Sequence, residues 1–92
     1  LPSSLINLTF GSNFNQKMKN CLPSSLQNLT FGSWFNQEIN NCLPNSSLVN
    51  LVFGWSFNQK INNNSIQYLP NSLQSLTFGH NFDQKINNLP KI

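Results

Sequence analysis

Arginine is absent from this 92-residue chain, and charge of either sign is scarce. Asp, Glu, Lys and Arg together make up 8% of the residues, against roughly a quarter in ordinary soluble domains, so the surface is not built from the usual Lys–Glu mixture. Lys17, Lys19, Lys60, Lys85 and Lys91 outnumber Glu38 and Asp83 to give a net charge of +3. Without guanidinium groups for bidentate contacts, and without a basic cluster interleaved with aromatics, no nucleic-acid partner is expected. No apolar run is long enough to span a bilayer and no signal-peptide pattern occurs, so no membrane partner is expected either. Two cysteines and one histidine fall short of the four ligands of a structural zinc site, and neither a metal nor a cofactor is expected. Paired carboxylates for acid–base work are missing. His80 has only Asp83 close in sequence, and Asp83 takes a position that Asn holds elsewhere in the chain, which leaves no triad and no expected catalytic residue.

What fills the chain is repetition. Units open at Leu1-Pro2, Leu22-Pro23, Leu43-Pro44 and Leu69-Pro70, and a further start stands at Leu89-Pro90. Successive starts are 21, 21, 26 and 20 residues apart, a period that marks a solenoid of the leucine-rich-repeat kind. We therefore expect one solenoid segment with units at 1–21, 22–42, 43–68 and 69–88 and the beginning of a fifth at 89–92. The chain has no initial Met and stops shortly into that fifth unit, from which a piece of a longer array is expected.

Each unit carries the pattern L-x-x-L-x-F, at Leu5/Leu8/Phe10, Leu26/Leu29/Phe31, Leu48/Leu51/Phe53 and Leu73/Leu76/Phe78. Period-two alternation of the last two members predicts a short strand with Leu and Phe inward and Thr9, Thr30, Val52 and Thr77 outward. One strand per coil, stacked in parallel about 4.8 Å apart, makes a narrow sheet and a mainly β fold. Gly11, Gly32, Gly54 and Gly79 end the strands, where positive φ is expected of them. The second half, F-N-Q-x-[MI], places Phe14/Met18, Phe35/Ile39, Phe57/Ile61 and Phe82/Ile86 four apart, compatible with one helical turn or an extended arch. So few residues return the chain that irregular or strand-like structure is favoured. Two ladders of Phe rings should form the core. Asn15, Asn36 and Asn58, with Asp83 in the fourth copy, should satisfy backbone groups, and stacked amides should form ladders along the axis.

The string L-P-x-S-L-x-x-L-x-F-G-x-x-F-N-Q-x-I resembles the FNIP repeat, a relative of the leucine-rich repeat found in social amoebae and some giant amoeba viruses. Leu22-Pro23, Ser25-Leu26, Leu29, Phe31-Gly32, Phe35-Asn36-Gln37 and Ile39 all fall in register with it. The pattern departs from the family where Lys17, Glu38, Lys60 and Lys85 replace a frequent Pro, and where Cys21 and Cys42 stand near an expected Gly. The resemblance implies a protein–protein contact role, often beside F-box or signalling domains, and brings no catalytic residues. A structural reading competes with it: repeats that stack end to end into a fibre, filament or coat by self-association, with an extracellular or virion-surface location attached to that reading and a cytoplasmic one to the first.

The remaining features are weighed by position. Cys21 and Cys42 are equivalent in adjacent units, near enough for a disulfide but badly oriented for its dihedral, so reduced thiols are favoured. Asn7, Asn28, Asn45 and Asn63 head N-x-[S/T] sequons, which an Asn-rich repeat generates by chance and which glycosylation would use only in a secreted chain. Glu38 shares a column with Lys17 and Lys60, where an ion-pair ladder is expected. The two positions after each Gly vary most, reading Ser12-Asn13, Ser33-Trp34, Trp55-Ser56 and His80-Asn81. Trp34, Trp55 and His80, with Val49 and Val52, are the candidate partner-binding surface, since Trp is enriched at binding hot spots and rigid scaffolds present binding loops.

Overall fold

The computed structural model describes residues 4–18, 22–39, 43–44, 47–60 and 69–84. Four strands of three residues, β1 (Asn7–Thr9), β2 (Asn28–Thr30), β3 (Asn50–Val52) and β4 (Ser75–Thr77), form one parallel sheet in the order β1-β2-β3-β4. Their register pairs like with like: Leu8 opposite Leu29, Leu29 opposite Leu51, and Leu51 opposite Leu76. Among the described residues there is no helix, and the described parts of the connections between strands are turns and irregular segments.

Two tight turns shape each coil. One precedes the strand: the Leu26 N–H donates to the Pro23 carbonyl at 3.2 Å, and Leu73 to Pro70 at 3.4 Å. In this turn Ser25, Ser47 and Ser72 donate their hydroxyls to the Leu5, Leu26 and Leu48 carbonyls of the preceding coil at 2.6, 2.8 and 2.6 Å. The other turn follows the strand, where Phe14 donates to Gly11, Phe35 to Gly32 and Phe82 to Gly79 over 3.1–3.4 Å. These i→i+3 bonds are those of β-turns.

The core lies where the alternation places it. Leu26, Leu29, Phe31, Phe35, Ile39, Leu48, Leu51, Phe53 and Phe57 are all buried, while Asn7, Thr9, Asn50, Ser75 and Thr77 are exposed. Phe10, Phe31, Phe53 and Phe78 stack as one ladder with centroids 5.3–5.6 Å apart. Phe14, Phe35, Phe57 and Phe82 stack as a second at 6.0–6.1 Å. The ladders also face each other inside every coil at 3.8–4.3 Å. Spacing is wider in the ladder farther along the chain from the sheet, so the coils fan apart on that side. Met18 and Ile39 close the core beneath the rings, whereas Ile61 and Ile86 lie outside the described residues.

The glycines differ from expectation in their reason, not their place. None of the four has the positive φ that was anticipated. A Cβ on Gly32, Gly54 or Gly79 would instead stand closer than 3.0 Å to the carbonyl of the glycine in the preceding coil, whereas one on Gly11 meets nothing within 4 Å. The residue is required because two backbones approach face to face at this corner. The ion-pair ladder is also corrected: no ion pair forms among the described residues, Lys17, Glu38 and Lys60 included. All three side chains are exposed, and holding two long flexible chains in one geometry gains little in water.

Two stability measurements follow. Phe31 is 2% exposed and stacks on Phe10, Phe35 and Phe53. Phe31→Ala should cost about 3–5 kcal/mol in denaturant unfolding, and an unchanged midpoint would remove Phe31 from the core. Gly54→Ala should cost about 1–3 kcal/mol or more by overpacking, while Gly11→Ala in the same 92-residue chain should be near neutral. Equal losses at both sites would show that the close approach does not govern them.

Candidate functional site

Three surface columns run along the solenoid, two of them built on asparagine and the third of varied residues. On the sheet, Asn28 donates its side-chain amide to Asn7, and Asn50 donates to Asn28. The ladder ends at β4, where Ser75 takes the paired position. Asn7 and Asn28 are the described members of the sequon set, and their amides serve this ladder. Asn45 and Asn63 lie outside the described residues, as do Cys21 and Cys42.

The second column follows the inner Phe ladder. The Oδ1 of Asn15 accepts the Asn36 backbone N–H and the Gln37 Nε2–H, both at 2.9 Å. Asn36 serves Asn58 and Gln59 in the same way, and Asn58 serves Asp83 and Gln84. Each Gln also reaches the backbone carbonyl of the preceding Asn at 3.3–3.4 Å. Each link uses the Asn only as an acceptor from the following coil, and a carboxylate can accept in the same way; this explains why Asp83 is tolerated in the series. A hollow of about 250 Å³ beside this column is lined by Glu38, Asn58, Gln59, Lys60 and Gln84. Three of its five lining residues are already engaged between coils, so the hollow is part of the scaffold rather than a site.

The third column is the turn after the strand, and here the copies diverge. Its first positions are Ser12, Ser33, Trp55 and His80; its second are Asn13, Trp34, Ser56 and Asn81. The turns are tied together by backbone bonds, Trp34 N–H to Ser12 O, Ser56 N–H to Ser33 O and Asn81 N–H to Trp55 O, at 2.9–3.0 Å. Two indoles on adjoining coils thus stand diagonally, each with a serine beside it in its own column. That checkerboard opens a cleft of about 410 Å³ lined by Ser33, Trp34, Trp55, Ser56 and Asn81. Trp34 is 62% and Trp55 57% exposed, so neither indole is folded into its own coil.

His80 lies next to Trp55 in the first-position column, and the two rings stack with centroids 4.4 Å apart and planes 15° from parallel. Sequence reasoning placed both residues on the surface but missed this pairing; the signal was present in their shared position after the Gly. Val49 and Val52 do not line the cleft. Both are half-buried at the ends of β3, where Val49 bonds through its backbone to Gln27, Gln74 and Ser75, and Val52 to Phe31. Among the described residues no group of His, Cys, Asp or Glu could hold a metal ion.

The FNIP repeat family matches residues 1–33, 18–47, 35–66 and 67–91, and the chain belongs to that family. No curated protein sequence matches it. What the family assigns is a repeat scaffold, and the coil geometry above is the form that scaffold takes in this chain.

The acceptor role of the second column is testable. Asn36→Ala should leave the Asn58 N–H unpaired and Gln59 Nε2 with only its 3.3 Å bond to the residue 36 carbonyl, and cost about 1–3 kcal/mol. Asn36→Asp keeps the acceptor and should retain most of that stability at neutral pH. Thermal melts of the two variants, if indistinguishable, would refute the acceptor account.

Proposed function

We propose that this chain is a non-enzymatic protein-interaction scaffold whose contact surface is the turn column carrying Trp34, Trp55 and His80. The observation that carries this reading is the exposure of two adjacent indoles on turns held by backbone hydrogen bonds. The exposed tryptophans lie outside the Phe core, and with their backbone held and only two side-chain torsions each they lose little entropy on contact. Serine and asparagine around them supply hydrogen bonding, a combination typical of protein-binding surfaces built on rigid frameworks. A catalytic alternative has less to stand on: His80 is stacked on Trp55, and the Asp83 backbone is bonded to Asn58 in the amide column.

The Trp34→Ala/Trp55→Ala variant should melt within about 0.5 kcal/mol of the wild type, as exposed substitutions do. The same variant should lose the proteins that co-purify with the wild type, compared quantitatively by mass spectrometry. Equal recovery by both forms would overturn this contact surface, and unfolding of the variant would assign the indoles to packing.

A further inference from the structure

Resting on the reading of the Trp34/Trp55 turns as a protein-contact surface, we propose that their cleft binds an uncharged, proline-rich segment in the polyproline II conformation. The argument begins with charge. None of Ser33, Trp34, Trp55, Ser56 and Asn81 carries any, so an acidic or phosphorylated segment would find no cation there, and a basic one no carboxylate. A cation could meet this lining only through the indole faces, whereas a neutral segment can also use its hydrogen-bonding groups.

Hydrogen-bonding capacity narrows the class further. The side chains of all five lining residues are without a hydrogen-bond partner among the described residues. The two indole N–H groups can only donate. Proline offers the complement: a backbone carbonyl that accepts and no N–H that must be satisfied. Ser33, Ser56 and Asn81 can add donors. A polyproline II segment has no internal hydrogen bonds, so all its carbonyls are available to such donors.

Composition agrees with this. Two exposed indoles and small polar side chains line the cleft, the composition of the aromatic-lined grooves that receive prolines. Proline-rich segments are already extended, so the cleft does not have to order a flexible chain. His80 acts here as a positioning residue: its ring against Trp55 restrains one wall without lining the cleft.

The chain contains only two tryptophans, and both line the cleft, so intrinsic indole fluorescence reports on this site alone. The test titrates the 92-residue chain with a peptide of about ten prolines, roughly three turns of polyproline II. A Gly-Ser peptide of equal length and a neutral glucan oligomer are titrated in parallel. We expect a saturable emission change with polyproline alone, and affinity at least tenfold weaker (about 1.4 kcal/mol) by calorimetry for Trp34→Ala and for Trp55→Ala. His80→Ala should weaken binding and alter the near-ultraviolet circular dichroism of the indoles, and His80→Phe, which keeps a stacking ring, should restore both.

No response to polyproline up to about 1 mM, the limit of meaningful affinity (about 4 kcal/mol), would overturn the proposal. So would equal binding of the Gly-Ser peptide, unchanged binding by the double tryptophan variant, or a response to the glucan in place of the peptide. If polyproline fails while the double variant still loses its co-purifying proteins, the proline specificity falls and the contact surface stands. If both fail, the surface reading falls with it.

Discussion

Among the described residues strand sits on strand and ring on ring, and that in-register stacking is the constraint from which the rest of the structure follows. Parallel strands at about 4.8 Å leave no room for a mismatch between coils. The register pairs Asn7 with Asn28, Leu8 with Leu29 and Thr9 with Thr30, and the same offset continues through the turns and the Phe ladders. Stacking like on like favours residues that attract their own kind. Phenylalanine does so through its ring faces, and asparagine through an amide that both donates and accepts. Lysine and glutamate do not, which gives a physical sense to the scarcity of charge.

The glycine corner sets how closely this stacking can proceed. Where Gly54 meets the Gly32 carbonyl, even a methyl group would force the coils apart. The next two residues form the exposed part of the same turn, where no counterpart rule operates and Ser, Asn, Trp and His all appear. The most constrained position in the coil and its least constrained ones are therefore neighbours. A contact surface placed there inherits the rigidity of the corner while its side chains remain free to vary.

Much of the fold was legible because a strand with one inward face leaves a period-two trace, and repetition of the trace fixes the register. Leu29 and Phe31 fall in the core for that reason. The reason for the glycines was not legible, because a sequence does not distinguish a demand for positive φ from a demand for space. The ion-pair ladder of Lys17, Glu38 and Lys60 failed because shared column position brings backbones together without obliging long side chains to meet. At the candidate site, the exposure of Trp34 and Trp55 agreed with the reading of variable turn positions. The stacking of His80 on Trp55 depended on which of two turn columns each residue occupied, and Val49 and Val52, proposed as part of the same patch, do not line the cleft.

Among the described residues, the side-chain hydrogen bonds between coils all run one way. The serines, the asparagines of the sheet and the glutamines each donate from a later coil to an earlier one. The side-chain bonding is therefore vectorial, whereas the backbone bonds of the sheet run both ways, as in Phe10 N–H to Thr30 O and Gln27 N–H to Ile6 O. Losing an acceptor harms the neighbour that follows, and losing a donor strands the one that precedes, so lesions in such a chain have a downstream and an upstream sense. A coil could be transplanted between arrays of this kind in one polarity only, and evolution by duplicating units preserves that polarity without selection having to enforce it.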